Sequence, residues 1–407
     1  MRPWISIPRW ISTPRSFSPP HTVTSRRCGR HRRPRPASSR QLTRSSAIIG
    51  LILVLAVCGL GFRQVTGHRA GTSAAARASR AEQLADNAEA AHAVAALQRR
   101  YSPVTYVGTR TWQSANAIGA TIDYMRASGS RAYLSDLGRT YQAHHGRGDF
   151  LNAYYDDEGW WALTWIKAYD LTRNPAYLGE AKRIFADMTG GWDSTCGGGL
   201  WWSKARRYKN AIANEIFLQV AAKLHARTPG DSAYEAWADR EWAWFQHTGM
   251  LTGSHLVIDG LAHCKPDLSS PTWTYNQGML IGGLVSLARI TGHRPLLGTA
   301  VQIADAVTDS GALSPRGILH DPCEPSCGLD GPLFKGIFMQ NLQLLSDQVG
   351  GSYQAYMHHN ALAVWDSDRR GDEFGLSWSG PFDSASTARQ TAALDVLNTQ
   401  VSAGLGG

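Results

Sequence analysis

Two kinds of helical segment alternate along this chain from about residue 78, and that alternation limits the fold more than any other feature. One kind is amphipathic. In 175–188, Tyr177, Leu178, Ala181, Ile184, Phe185 and Met188 fall on one stripe, with Glu180, Lys182, Arg183 and Asp187 opposite. This spacing predicts a helix with one buried face. Segments 131–144, 231–247, 294–309 and 351–366 have the same character. The other kind is apolar nearly all round. In 211–224, Ile212, Ala213, Ile216, Phe217, Leu218, Val220, Ala221 and Leu224 leave almost no polar face, and 157–171, 276–290 and 334–348 behave alike. A helix without a polar face is buried on every side.

The amphipathic helices share an opening turn. Gly129-Ser-Arg-Ala-Tyr133-Leu134, Arg173-Asn-Pro-Ala-Tyr177-Leu178, Gly230-Asp-Ser-Ala-Tyr234 and Gly292-His-Arg-Pro-Leu296-Leu297 are variants of one pattern, and Gly351-Ser-Tyr353 reads as a fifth. Tyr133, Tyr177, Tyr234, Leu296 and Tyr353 recur at spacings of 44, 57, 62 and 57 residues, a degenerate helix-hairpin repeat. Helices are expected near 80–100, 110–127, 131–144, 157–171, 175–188, 211–226, 231–247, 276–290, 294–309, 334–348, 351–366 and 384–398. Twelve helices of alternating type fit an all-α fold, an (α/α)6 toroid of about six hairpins with six helices inside and six outside. An open solenoid would use shorter and more even repeats. The long loops 145–156, 189–210, 248–275 and 310–333 all lead into the all-round apolar helices. In a toroid they share one face, which is therefore the functional one.

The N-terminal region has a different composition. Residues 1–45 hold 11 Arg and no Lys, Asp or Glu, so a net charge of +9 for the whole chain leaves the remainder at −2. This segment reads as a disordered basic tail, and the slightly acidic remainder takes support away from a nucleic-acid partner. Ala47–Phe62 follows as sixteen uncharged residues, and 46–64 reads as a signal anchor or a long signal peptide. Either puts the 65–400 domain outside the cytoplasm, anchored to the membrane by one N-terminal segment or secreted, and a monomer is expected. In such a compartment Cys196, Cys264, Cys323 and Cys327 suggest two disulfides, for which three connectivities exist. Cys323-x3-Cys327, flanked by Pro322, Pro325 and Gly328, fits a local staple and leaves Cys196 with Cys264.

The sharpest chemical feature is Asn152-Ala-Tyr154-Tyr155-Asp156-Asp157-Glu158-Gly159-Trp160-Trp161. Acids at a helix start are ordinarily caps or partners of the helix dipole. Here they open an all-round buried helix, on the long-loop face, among aromatics. Sugar rings stack on Trp and Tyr, and glycosidic cleavage needs two carboxylates. Consecutive helical residues diverge by about 100°, so convergence of the pair requires the first aspartate to be still extended. Gly197-Gly198-Gly199-Leu-Trp201-Trp202 reads equally as a ligand platform or a tight turn beside a core Trp. Trp273-x-Tyr275-Asn276-Gln277-Gly278 reads equally as ligand contact or capping, and Lys335 as substrate contact or structural pairing. Asp259-Gly260 and Asp330-Gly331 read as turns. No nucleophile elbow, P-loop or dinucleotide fingerprint is present.

Taken in order, YYDDEGWWAL, CGGGLWW, NAIANEIF, the Asp259-Gly260 to Cys264 turn, WTYNQG and FKGIF resemble glycoside hydrolase family 76. The resemblance implies an (α/α)6 toroid that acts on mannan as a retaining endo-α-1,6-mannanase. Fungal relatives are thought to act as wall transglycosidases on mannose-bearing glycans. It implies that Asp156 is the nucleophile and Asp157 the general acid/base, with cleft roles for Trp202, Tyr275, Asn276 and Lys335. Tyr155, next to the pair, is read with them as a sugar contact. No metal or cofactor is implied. A non-catalytic glycan-binding protein on the same fold is the alternative from another class.

Overall fold

The computed structural model describes residues 57–109 and 111–401, with side chains from residue 78 onward. The basic tail and most of the apolar run lie outside the described residues. Among those described, no helix is long and apolar enough to cross a membrane. Two compact units divide between Thr66 and Gly67. The described part of the first is helical, and the second carries everything that follows.

Twelve α-helices occur among the described residues: α1 (Val57–Gln98), α2 (Thr111–Ser128), α3 (Leu134–His144), α4 (Tyr155–Thr172), α5 (Pro175–Thr189), α6 (Ala211–His225), α7 (Ala233–Phe245), α8 (Thr274–Thr291), α9 (Pro295–Thr308), α10 (Phe334–Ser346), α11 (Gln354–Ser367) and α12 (Thr387–Asn398). The even-numbered helices form a closed ring. Each of α2, α4, α6, α8, α10 and α12 packs on the next, and α12 returns to α2. These include the helices whose sequences lack a polar face, and nearly every residue of α6 and α8 is buried. The odd-numbered helices turn one stripe inward, as in α9, where Leu296, Ala300, Ile303, Ala304 and Val307 are buried. The architecture is the expected (α/α)6 toroid.

The repeated turn has a common backbone cause. Its first residue is left-handed every time, with φ of 76° at Gly129, 59° at Arg173, 85° at Gly230, 71° at Gly292 and 82° at Gly351. Four of the five are the residue that adopts this conformation without a Cβ clash. Asn174 then caps α5 by accepting a hydrogen bond from the Ala176 amide, with Pro175 in the first turn. One expectation on α5 fails: Glu180, placed on the polar face, is 1% exposed. His145 Nδ1 lies 2.7 Å from its carboxylate and Arg183 also pairs with it, so burial of this charge is compensated.

The loops preceding the inner helices are stitched together on one face. Tyr154 bridges Ser203, and Asn210 bridges Gly260. Thr274 Oγ1 donates to Asp321 at 2.5 Å, Trp112 Nε1 to Asp330 at 3.2 Å, and Thr387 Oγ1 to the Val107 carbonyl at 2.8 Å. Cys196–Cys264 and Cys323–Cys327 are both formed, the first joining two of these loops. Short antiparallel pairs, Leu261–Ala262 with Lys265–Pro266 and Arg369–Arg370 with Glu373–Phe374, are the strands among the described residues.

Close approach within the ring relies on glycine. A Cβ at Gly278 of α8 would lie 2.5 Å from Phe338 Cα and 3.1 Å from the Ile337 carbonyl of α10. Backbone cannot give way as a flexible side chain can. Gly278→Ala should therefore cost about 1–3 kcal/mol and lower the Tm. Gly298→Ala, on outer helix α9 with nothing within 4 Å of the new Cβ, should leave the Tm unchanged or raise it. Thermal denaturation of both variants checks this; equal behaviour would contradict the packing argument.

Candidate active site

The site is built where the chain enters α4. Tyr154 is extended (φ −124°, ψ 123°) and is the residue before the helix, so Asp156 and Asp157 are both inside the first helical turn. This corrects the geometry expected from sequence: the extended residue is Tyr154, not the first aspartate. The two carboxylates take different partners as a result. Asp156 Oδ2 accepts from the indole Nε1 of Trp202 at 2.9 Å, and its buried Oδ1 has no hydrogen-bond partner among the described residues. Asp157 Oδ2 accepts from Asn152 Nδ2 at 2.7 Å and from Thr111 Oγ1 at 3.4 Å.

Backbone pairing sets these distances. The Tyr155 amide donates to the Trp202 carbonyl at 2.9 Å, and the Lys204 amide to the Ala153 carbonyl at 2.9 Å. The segment 202–204 is thereby aligned against 153–155, with Trp202 facing Asp156. Glu158, the third acid of the run, is wholly buried. Its Oε1 accepts from the Asn152 amide at 2.9 Å and lies 2.8 Å from Lys204 Nζ. Burial, opposed by Lys204, pushes Glu158 up to about 7.

Asp156 is pushed up to about 8, first by burial and then by the negative charge of Asp157, against the lowering effect of the Trp202 hydrogen bond. The two carboxyls therefore titrate as a pair that keeps one proton at neutral pH. Behind them, Tyr208 OH donates to Asp259 Oδ2 at 2.9 Å and Asn276 Nδ2 to Asp259 Oδ1 at 3.3 Å. Burial raises Asp259. Tyr275 is raised well above its usual range by burial and then by the charges of Asp259 and Asp156. The ring stacks on Phe334 at 3.9 Å. Glu215 of α6 is wholly buried, with neither carboxyl oxygen hydrogen-bonded among the described residues.

The other sequence-predicted residues divide. Trp202 bonds Asp156 directly, Tyr275 lies within reach of the Asp156 charge, and Asn276 is bonded to Asp259. Tyr155 does not present a face to the site. It is 5% exposed and packed so closely beneath Gly191 that a Cβ there would lie 2.6 Å from its ring. Its neighbour Tyr154 is 40% exposed and its ring lies 4.9 Å from that of Trp202. Lys335 has a structural partner: its Nζ lies 2.6 Å from Glu324 Oε1 and donates to the Leu376 carbonyl at 2.7 Å, with 1% of the residue exposed. The three glycines form the tight turn, not a platform. Gly199 presses on Trp244, and the carbonyls of Gly198 and Gly199 accept from buried Lys209 Nζ at 2.6 and 2.8 Å.

Asn152, Tyr154, Tyr208 and Asp259 were not singled out from sequence as site residues. Tyr154 and Asn152 stood within the quoted run, but which of two tyrosines faces outward depends on the 153–155 pairing with a segment some fifty positions on. An axial cavity of about 390 Å³ lies in the ring, lined by residues including Asp123, Lys167, Lys223, Gln340 and Asp395; none of the predicted site residues borders it. Among the described residues no group of three or more His, Cys, Asp or Glu could hold a metal ion.

The sequence pattern of glycosyl hydrolase family 76 matches residues 80–404. The chain belongs to that family. It is 26% identical over 322 residues to the mannan endo-1,6-alpha-mannosidase DCW1 of Saccharomyces cerevisiae, 70% of either chain. It is 30% identical over 211 residues to the Candida albicans DCW1, covering 47% of this chain and 46% of that one. The latter match thus spans about half of either protein. The α-1,6-mannanase from Salegentibacter sp. HEL1_6 shares the fold with a TM-score of 0.70 at 22% identity, over 77% of this chain and 98% of its own. An inactive variant of that mannanase, with two adjacent aspartates replaced by asparagine, holds α-1,6-mannotriose (TM-score 0.71, 22% identity, 78% of this chain and 99% of its own).

Trp202 stabilises the ionised form of Asp156. Its loss should raise the pH at which the pair gives up its last proton. Carboxyl ¹³C titration should place that step near pH 8 in the wild type and about one pH unit higher in Trp202→Phe. A midpoint that stays or falls would show that the indole does not carry this interaction.

Proposed function

We propose that this family 76 chain is an extracytoplasmic, retaining endo-hydrolase of α-1,6-mannosyl linkages in mannan-type glycans. The observation that carries the reading is the adjacent pair Asp156–Asp157 in the first turn of buried α4, one carboxyl held by an indole and the other by an amide. The yeast relatives bear the name mannan endo-1,6-alpha-mannosidase, and the mannanase lacking two adjacent aspartates is inactive.

Asp156 attacks the anomeric carbon while Asp157 gives its proton to the departing glycosidic oxygen, leaving a mannosyl ester on Asp156. Water then attacks that carbon, its proton passes to Asp157, and Asp156 leaves as a carboxylate. A sugar hydroxyl in place of water makes the same site a transglycosidase. With Oδ2 held by Trp202, Oδ1 is the attacking atom, and it must be uncovered as the sugar seats. The proton kept by the pair must sit on Asp157 at that moment. Trp202 and Tyr154 offer ring faces for the sugar. The N-terminal apolar run would carry the chain to the membrane or beyond it.

The burial and raised proton affinity of Asp156 favour a second reading with the roles exchanged. One experiment separates the two. On α-1,6-mannan, Asp156→Asn and Asp157→Asn should each lose about 10²–10⁴ in rate. On α-1,6-mannobiosyl fluoride, whose leaving group needs no proton, Asp157→Asn should keep near wild-type kcat/KM and Asp156→Asn should not. The reverse pattern exchanges the roles. Equal mannan cleavage by all three proteins ends the assignment, and a β-configured first product ends retention.

A further inference from the structure

We propose that Asn152 is a positioning residue for Asp157, itself held in place by buried Glu158 and its ion pair with the exposed Lys204. This rests on the reading of Asp157 as the acid/base. Asn152 uses both ends of its carboxamide. Oδ1 accepts from the Tyr154 amide at 2.6 Å, and Nδ2 donates to Asp157 Oδ2 at 2.7 Å. Capping the turn requires only the acceptor, which Asp or Ser would supply equally. The donor half is what distinguishes Asn here, and it is directed at Asp157. An amide N–H only donates, so Oδ2 is held as an acceptor and the transferable proton is steered to the other oxygen.

Asn152 is in turn fixed from below. Its own amide donates to Glu158 Oε1 at 2.9 Å, and that oxygen lies 2.8 Å from Lys204 Nζ. Lys204 also lies 2.8 Å from Asp187 Oδ2 of α5. Lys204 stands two residues after Trp202. One short segment therefore serves both carboxylates: Trp202 touches Asp156 directly, and Lys204 reaches Asp157 through Glu158 and Asn152.

Asn152→Ala removes the donor without adding charge, and Asn152→Asp removes it while adding a carboxyl beside Asp157. Asn152→Asp is nearly isosteric, keeps an acceptor for the Tyr154 amide and keeps the backbone bond to Glu158. Its kcat/KM on α-1,6-mannan should fall by about 10–100-fold, with the loss in kcat, while kcat/KM on α-1,6-mannobiosyl fluoride stays within about threefold and the Tm holds. Asn152→Ala should show the same split between substrates. Equal fractional loss on both substrates, or full activity on mannan, overturns the proposal. Asp157→Asn is run alongside. If it keeps the fluoride reaction, the acid/base reading stands and any failure belongs to Asn152 alone; if it loses that reaction, both fall together.

Discussion

The backbone pairing of 153–155 with 202–204 is the interaction on which the site depends. Its two hydrogen bonds, Tyr155 amide to Trp202 carbonyl and Lys204 amide to Ala153 carbonyl, join loops that enter different inner helices. They set Tyr154 outward and Tyr155 inward at the point where the extended chain turns into α4. They also bring the Trp202 indole to Asp156. The ring of inner helices supplies the frame for this pairing, because a closed ring gathers every loop before an even-numbered helix on one face.

Within that frame the two aspartates are made unlike. Both sit in one helical turn, where consecutive side chains diverge by about 100°. Burial of the Asp156 carboxyl raises its proton affinity, and the indole it faces works against that rise. Asp157 is turned toward an amide and a hydroxyl, which hold its Oδ2 as an acceptor. Two carboxyls of one type thus become chemically distinct through the direction each takes from the helix. The neighbouring charge couples them, so one proton serves the pair.

Much of this is legible in the sequence, for identifiable reasons. The alternation of all-round apolar with one-sided helices follows from burial, and burial is what separates the inner ring from the outer. The left-handed start of the repeated turn is visible as glycine at four of five positions. Polar groups at helix starts are harder to read, because a buried amide or ammonium serves a ligand and a distant structural partner equally well. Lys335 pairs with Glu324 across the opening of α10, and Asn276 with Asp259 ahead of α8. Glu180 was misplaced because its position on the helix wheel does not register His145 and Arg183 coming together over it. Tyr155 was preferred to Tyr154 because the pairing that orients them involves residues far along the chain.

The most direct test is to trap the sugar–enzyme ester. A fluorinated α-1,6-mannobiosyl fluoride that forms the ester quickly and hydrolyses slowly should label the wild-type protein once. Peptide mapping by mass spectrometry should find the label on Asp156. A label on Asp157, or turnover of mannan with no ester detectable, would contradict the account.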